Sequence, residues 1–249
     1  MNRLENKVAL ITGAAKGLGE AIARGYSREG SAVVISDIDL DNLKKVEQDL
    51  SESDAGILAL GLDVTQEEQW KEVINTIIER FGRLDIVVNN AGIGTHGNIE
   101  TTSFDGWKKL LNINLDGVFL GTKYGVEAMA MNGNKGSIIN MSSIAGIVGD
   151  PELLAYSASK GAIRLFSKSA ALHLAKNKTG IRVNTIHPGY MNTDLIQLVP
   201  DPDEMLKAVP MDTFGDPDMI AQGAIYLGSD ESAFTTGSEL VIDGGYTAQ

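Results

Sequence analysis

The sequence predicts an α/β fold, a doubly wound parallel sheet with helices on both faces, and three observations carry that expectation. Short β-branched runs alternate with longer amphipathic stretches along most of the chain, and such alternation implies crossovers that lay the strands parallel. Some strand runs are apolar without a break, as in Ala-Val-Val-Ile at 32–35, which fits strands covered on both faces. No internal repeat, low-complexity tract or proline-rich linker divides the 249 residues. One domain over 1–249 is therefore expected.

The first strand, 8–12, runs directly into a glycine-rich turn and a helix over 17–29. Strand 32–36 is followed by Asp37 and a helix over 41–53, and strand 56–62 by a helix at 66–80. Strand 86–89 precedes a long helix at 103–131, and strand 137–141 precedes helix 155–177. Apart from one face, that last helix carries Ala158, Ala162, Ile163, Leu165, Phe166, Ala170, Ala171, Leu172 and Leu174. A helix apolar on most sides must be covered on most sides, and a partner subunit is the economical cover. After strand 182–187 the rhythm breaks, because 188–215 holds four of the six prolines and apolar residues without clean period. Long irregular segments of this kind are usually lids or binding loops, so a substrate loop is expected near 190–215. A helix at 216–228 and a strand at 240–242 finish the pattern.

Composition excludes several classes of function. A net charge of −12 and a pI near 4.7 argue against nucleic acid and anionic membrane surfaces as partners. The chain has no cysteine, which removes disulfide and thiol chemistry and fits a reducing compartment. No apolar run approaches the roughly 18 residues needed to span a bilayer, and the N-terminus enters a strand with no room for a signal peptide. A cytoplasmic location is expected.

Two clusters carry the chemistry. Tyr156 and Lys160 stand four residues apart, with Ser143 thirteen residues upstream of the tyrosine. The spacing puts phenol and ammonium on one helix face, where a fixed positive charge favours phenolate and tunes the tyrosine for acid–base work. Ser142 stands beside Ser143, and the thirteen-residue interval selects Ser143; Ser142 is expected to be a strand-end hydroxyl facing away. At the other end of the chain, Thr12-Gly13-Ala14-Ala15-Lys16-Gly17-Leu18-Gly19 joins a strand to a helix. Backbone N–H groups at such a helix N-terminus bind phosphates, and the glycines let a pyrophosphate approach. Asp37, at the end of the second strand, is placed to accept ribose hydroxyls and repel a 2′-phosphate. NAD(H) is therefore expected to be preferred over NADP(H), with Lys16 as the one counter-signal.

These residues complete a resemblance that runs from residue 7 to the C-terminus. With Asn89-Asn90-Ala91-Gly92, Asn114, the Ser143…Tyr156-x-x-x-Lys160 group and Pro188-Gly189 followed by Thr193, the chain resembles the short-chain dehydrogenase/reductases, which have a single Rossmann-type domain. The resemblance implies that Ser143 donates to a substrate oxygen, Tyr156 is general acid and base, and Lys160 also holds the nicotinamide ribose. It gives Asn114 a water that links Lys160 to solvent. Gly13, Lys16, Gly17, Leu18, Gly19, Asp37 and Ile38 would bind the cofactor at one end. Asp63 and Val64 would flank the adenine, and Asn90, Ala91 and Gly92 would lie along the cofactor. Pro188, Gly189, Met191 and Thr193 would hold the nicotinamide.

The runs Ile138-Ile139-Asn140-Met141-Ser142-Ser143, Gly149-Asp150-Pro151, His187-Pro188-Gly189-Tyr190 and Asp243 to Gln249 look like the R-specific secondary alcohol dehydrogenases of lactic acid bacteria. That likeness implies reduction of prochiral ketones to R-alcohols, a homotetramer, and Mg²⁺ held through the C-terminal carboxylate, here Gln249, where hard oxygen ligands suit the ion. Members of that subgroup prefer NADP, and Asp37 departs from them.

Candidate pocket residues are Ile144, Ala145, Ile147, Leu153, Leu154, Tyr190, Leu195, Leu198, Val199, Met205 and Leu206, with Lys207 the only cation between 190 and 215. Scarcity of Arg and Lys points to a neutral, apolar ketone or alcohol. His96, His173 and His187 have no second histidine at metal spacing, which disfavours a catalytic zinc. Three other readings stay open: a 3-oxoacyl-carrier-protein reductase, a hydroxysteroid dehydrogenase, and a non-catalytic NAD-sensing module, since fold alone does not fix function.

Overall fold

The structure, a computed structural model, describes residues 2–51, 56–131, 133, 135–193 and 202–249. Its strands are β1 (Val8–Thr12), β2 (Ala32–Asp37), β3 (Ile57–Gly61), β4 (Ile86–Asn89), β5 (Gly136–Met141), β6 (Ile181–Pro188) and β7 (Glu239–Ile242). They pair in parallel in the order β3-β2-β1-β4-β5-β6-β7. The helices are α1 (Gly17–Arg28), α2 (Leu40–Leu50), α3 (Glu67–Phe81), α4 (Phe104–Leu111), α5 (Gly117–Met131), α6 (Leu154–Lys176), α7 (Pro202–Lys207) and α8 (Pro217–Gly228). This is the expected doubly wound Rossmann-type sheet.

Each face of the sheet has its own core. On one face α1, α2 and α8 bury Ile22, Tyr26, Leu43, Ile220 and Ala224 against Ile11, Ile35 and Ile139. The Tyr26 hydroxyl donates to the Ala224 carbonyl at 2.8 Å, which satisfies a wholly buried phenol. On the other face α3, α5 and α6 bury Trp70, Ile77, Tyr124 and Leu174 against Leu10, Val34 and Val183. Trp70 Nε1 donates to the Val64 carbonyl at 3.0 Å. Among the described residues no helix is long and apolar enough to cross a membrane.

Two elements differ from expectation. The helix expected over 103–131 is interrupted by a wide turn at Asn112–Asp116, a one-turn π segment that separates α4 from α5. Such turns shift the helical register locally. The segment expected to be irregular contains α7, whose first residue is Pro202; proline lacks the N–H that the first helical turn does not use. The pocket candidates Leu195, Leu198 and Val199 lie outside the described residues.

Candidate active site

The strand order reverses direction between β1 and β4, and the crevice beyond the carboxyl ends of the strands at such a switch is where open α/β sheets bind ligands. The glycine loop lies there. Gly13 and Gly17 take positive φ of 65° and 60°, conformations that a side chain would strain. A Cβ on Gly19 would strike the Gly13 carbonyl. Thr12 Oγ1 accepts the amides of Asn90 and Ala91 at 3.1 and 3.0 Å, while Asn90 Nδ2 donates to the carbonyls of Thr12 and Gly13 at 2.9 and 3.0 Å. Asn90 thus ties the loop to the end of β4. Among the described residues a Cβ placed on Gly17 would meet only Thr193 Cγ2, at 3.9 Å. That gap, lined by backbone at a helix N-terminus, fits a dinucleotide pyrophosphate.

The same sheet edge gathers the other sequence-predicted residues. Asp37 ends β2, and Ile38, which follows it, is 74% exposed. Asp63 Oδ1 accepts the Thr65 amide and hydroxyl at 3.0 and 2.7 Å, and Val64 is buried. Pro188 ends β6, and the Gly189 amide donates to the Ile242 carbonyl at 2.9 Å. Met191 is buried and bridges to Gly215. Leu18 is half-buried against the first core, and Gly92 is exposed with Ala91 beside it.

Ser143, Tyr156 and Lys160 meet at the ends of β5 and α6. Lys160 is 5% exposed, and its Nζ donates to the Met141 carbonyl at 2.8 Å. The ammonium lies 5.5 Å from the Tyr156 ring centre. Burial pulls Lys160 down to about 8. Tyr156 is pushed above its ordinary value, because burial outweighs the opposing hydrogen bond from Ser143. The expectation that the lysine charge depresses the phenol is thus corrected for the chain alone: proximity is present, but desolvation is the larger effect.

Asn114 is wholly buried in the π segment. Its Oδ1 accepts the Ile93 amide at 2.8 Å, and its Nδ2 donates to the Ile93 carbonyl at 2.9 Å and to Ser159 Oγ at 3.3 Å. The side chain therefore clamps the segment after β4 to α6. Ser142 donates to the Lys160 carbonyl at 2.9 Å, as its strand-end role requires.

Ile144 and Ala145 are buried, and Ile147, Leu153, Leu154, Tyr190, Met205 and Leu206 are partly so. His96 and His173 are exposed. Sequence context gives His187 no role, yet it is fully buried with Nδ1 3.0 Å from the Ser143 carbonyl. The signal that could have found it is the pairing of Met141 with Ile186, which sets His187 opposite the Ser142-Ser143 step.

The magnesium expected at Gln249 finds no support in a side-chain cluster. Among the described residues no three His, Asp or Glu side chains are grouped to hold a metal ion. The Gln249 side chain ties the tail to the Ala208 carbonyl through its amide nitrogen at 3.1 Å.

The family model described as enoyl-(acyl carrier protein) reductase matches residues 13–247. The chain is similar to an NADP-dependent (R)-specific alcohol dehydrogenase of Lentilactobacillus kefiri, with 47% identity covering 100% of this chain and 99% of that one. It is similar to a cyclopentanol dehydrogenase of Comamonas testosteroni, with 40% identity over all of both chains. Its structure resembles that of a short-chain type dehydrogenase/reductase from Mycobacterium marinum, with a TM-score of 0.94 and 32% identity, covering 99% of this chain and 97% of that one.

The first relative overturns the expected preference for NAD over NADP, because it is NADP-dependent at 47% identity over the full length. The local geometry gives a reason. Both carboxylate oxygens of Asp37 already accept backbone amides, from Ala15 at 3.1 Å and Asp39 at 3.0 Å. Lys16 stands exposed on the loop beside them. Its cation can offset the repulsion that Asp37 exerts on a 2′-phosphate, so the acid alone does not set the preference.

Proposed function

Since the chain belongs to the short-chain dehydrogenase/reductase family, we propose that it interconverts an uncharged, apolar ketone and its R secondary alcohol with a nicotinamide dinucleotide. The single observation that carries the reading is the convergence of Ser143, Tyr156 and Lys160 at the crevice edge. The bound dinucleotide supplies the hydride chemistry.

The glycine loop, Gly13 to Gly19, would take the pyrophosphate. Asp63 and Val64 would border the adenine, and Asn90 to Gly92 would run beside the cofactor. Pro188, Gly189, Met191 and Thr193 would hold the nicotinamide. In reduction Ser143 donates a hydrogen bond to the substrate oxygen as negative charge develops there. Tyr156 gives its phenol proton to the same oxygen, and in oxidation it takes the alcohol proton back. Lys160 supplies positive charge beneath the phenol, which stabilises the phenolate that proton transfer leaves. The apolar side chains of Ile144, Ile147, Leu153 and Tyr190 support a neutral substrate.

The test is initial-rate reduction of a panel of neutral ketones, acetophenone included, with NADH and NADPH in parallel. Turnover of neutral ketones is expected; turnover of steroid or acyl-thioester substrates alone would refute the substrate class.

A homotetramer accompanies this reading. Leu165 and Leu172 on α6 are 67% and 61% exposed in the single chain, and Phe119 on α5 packs edge-on against Phe166 beside them. Sedimentation at assay concentration reads the assembly, and a monomer would refute it.

A further inference from the structure

We infer that His187 is a positioning residue: its imidazole, seated between Thr185 and the Ser143 carbonyl, sets where the Ser143 hydroxyl stands relative to the Tyr156 phenol. The inference rests on the roles proposed above for Ser143 and Tyr156.

The proton on the ring follows from its partners. His187 Nδ1 lies 3.0 Å from the Ser143 carbonyl oxygen. A carbonyl only accepts, so Nδ1 carries the hydrogen. His187 Nε2 lies 2.9 Å from Thr185 Oγ1. A neutral ring leaves Nε2 as an acceptor, so the threonine hydroxyl donates to it. The competing acceptor for that hydroxyl, the Ser238 carbonyl, is farther at 3.3 Å and already takes the Thr185 amide at 3.0 Å. The result is a directed chain, from the Thr185 hydroxyl to Nε2 and from Nδ1–H to the Ser143 carbonyl.

Burial lowers the His187 pKa, which keeps the ring neutral. Glu239 on β7 favours the cation, but Arg164 and Lys168 of α6 engage that carboxylate. Arg164 and Lys160 oppose the cation directly. The Ser143 carbonyl and Glu239 favour the cation, but burial is the largest effect and the net shift is toward the neutral ring.

The peptide that His187 holds is the one that aims the serine. The Ser143 carbonyl takes two donors, His187 Nδ1 and the Gly146 amide, each at 3.0 Å. Ser143 Oγ in turn accepts the Ala145 amide at 3.1 Å. Carbonyl and hydroxyl are therefore both pinned to the same short turn, Ile144–Gly146. Without the imidazole donor the carbonyl keeps only the Gly146 amide, so the 143–144 peptide is held less firmly and the hydroxyl shifts with it. An apolar residue of equal size would fill the space but leave a buried carbonyl short of a donor.

The experiment compares His187→Leu, His187→Asn and Thr185→Val by steady-state ketone reduction, with Tyr156→Phe alongside. Loss of the donor should lower kcat on the order of ten- to a hundredfold, the range expected for a displaced catalytic group. KM and cofactor affinity should stay within about twofold, because the contact acts in the transition state rather than in binding. His187→Asn places an amide nitrogen near the Nδ1 position and should recover most of kcat; Thr185→Val should fall between the two.

Nitrogen-15 NMR of histidine-labelled wild-type protein reads the contact without activity, and should show an Nδ1–H tautomer that stays neutral between about pH 7 and 9. An Nε2–H tautomer, or titration in that range, would overturn the inference even if the leucine variant fails to fold. Wild-type kcat in His187→Leu with a dead Tyr156→Phe would overturn it while leaving the proposed function standing. Activity in Tyr156→Phe would instead remove the function on which it rests.

Discussion

Lys160 offers a prediction that separates charge from contact. Its Nζ is buried and donates to the Met141 carbonyl, and burial alone lowers its pKa from 10.5 to about 8. The unfolded chain therefore holds the lysine proton more tightly than the folded one. Below pH 8 both states are protonated, and the fold carries the full penalty, about 3 kcal/mol at 1.36 kcal/mol per pKa unit. Between pH 8 and 10.5 the folded chain sheds a proton that the unfolded chain keeps, so stability rises with pH. From pH 7 to 9.5 the gain is about 2 kcal/mol.

Lys160→Met removes the titration and the hydrogen bond together. The lost bond shifts stability by a pH-independent amount, on the order of 1–3 kcal/mol if the carbonyl is left unpaired. The slope against pH therefore belongs to the charge alone. Denaturant unfolding of wild type and variant at half-unit steps from pH 6.5 to 10 gives the difference curve. Wild type should gain on the variant by about 2 kcal/mol between pH 7 and 9.5. Parallel curves would show that Lys160 does not titrate in that window, and the desolvation argument would fall. Catalysis should be lost in the variant at every pH, since no other buried cation lies beside Tyr156 among the described residues.

Two further outcomes follow from the site. Tyr156→Phe should lower kcat by about 10²–10⁴, the usual range for removing a general acid, with cofactor affinity unchanged by titration calorimetry; equal turnover would end the proposed mechanism. Gly19→Ala drives a Cβ into the Gly13 carbonyl and the Asn90 side chain, so it should displace the loop and weaken cofactor binding at least about tenfold, a loss near 1.4 kcal/mol. Unchanged affinity would show that the loop does not hold the dinucleotide.

How much of this was legible depends on what each residue needs from the rest of the fold. The glycine loop is readable because its strand, turn and helix are contiguous, and Tyr156 and Lys160 are readable because one helical turn fixes their separation. The widened turn at Asn112–Asp116 carries no proline or other breaker; it forms where Asn114 reaches across to Ile93, a partner twenty-one residues away. Pro202 reads as a breaker in sequence and starts α7 in the fold, since proline stops a helix from inside but not at its first residue. Asp37 shows the limit most plainly. Its identity and position were readable, as was the Asp39 amide two residues on, but the Ala15 amide that also reaches its carboxylate comes from a loop twenty-two residues away.

The catalytic group makes the same point in electrostatic terms. Spacing predicts a cation beside a phenol, and Coulomb attraction alone would then lower the phenol. Burial acts on both partners at once and pushes each toward its neutral form: the lysine down, the tyrosine up. His187, bonded to the Ser143 carbonyl, is pushed the same way. Three titratable groups packed at two strand ends thus carry less charge than their formulas suggest, and only Lys160 remains mostly charged at neutral pH. The protonated phenol is then the resting form of the free chain, so reduction finds its acid already loaded, whereas oxidation must first ionise it. Distance along a helix is a local property that sequence states directly. The dielectric around that distance is set by β5, β6 and α6 together, and it decides the sign of the shift.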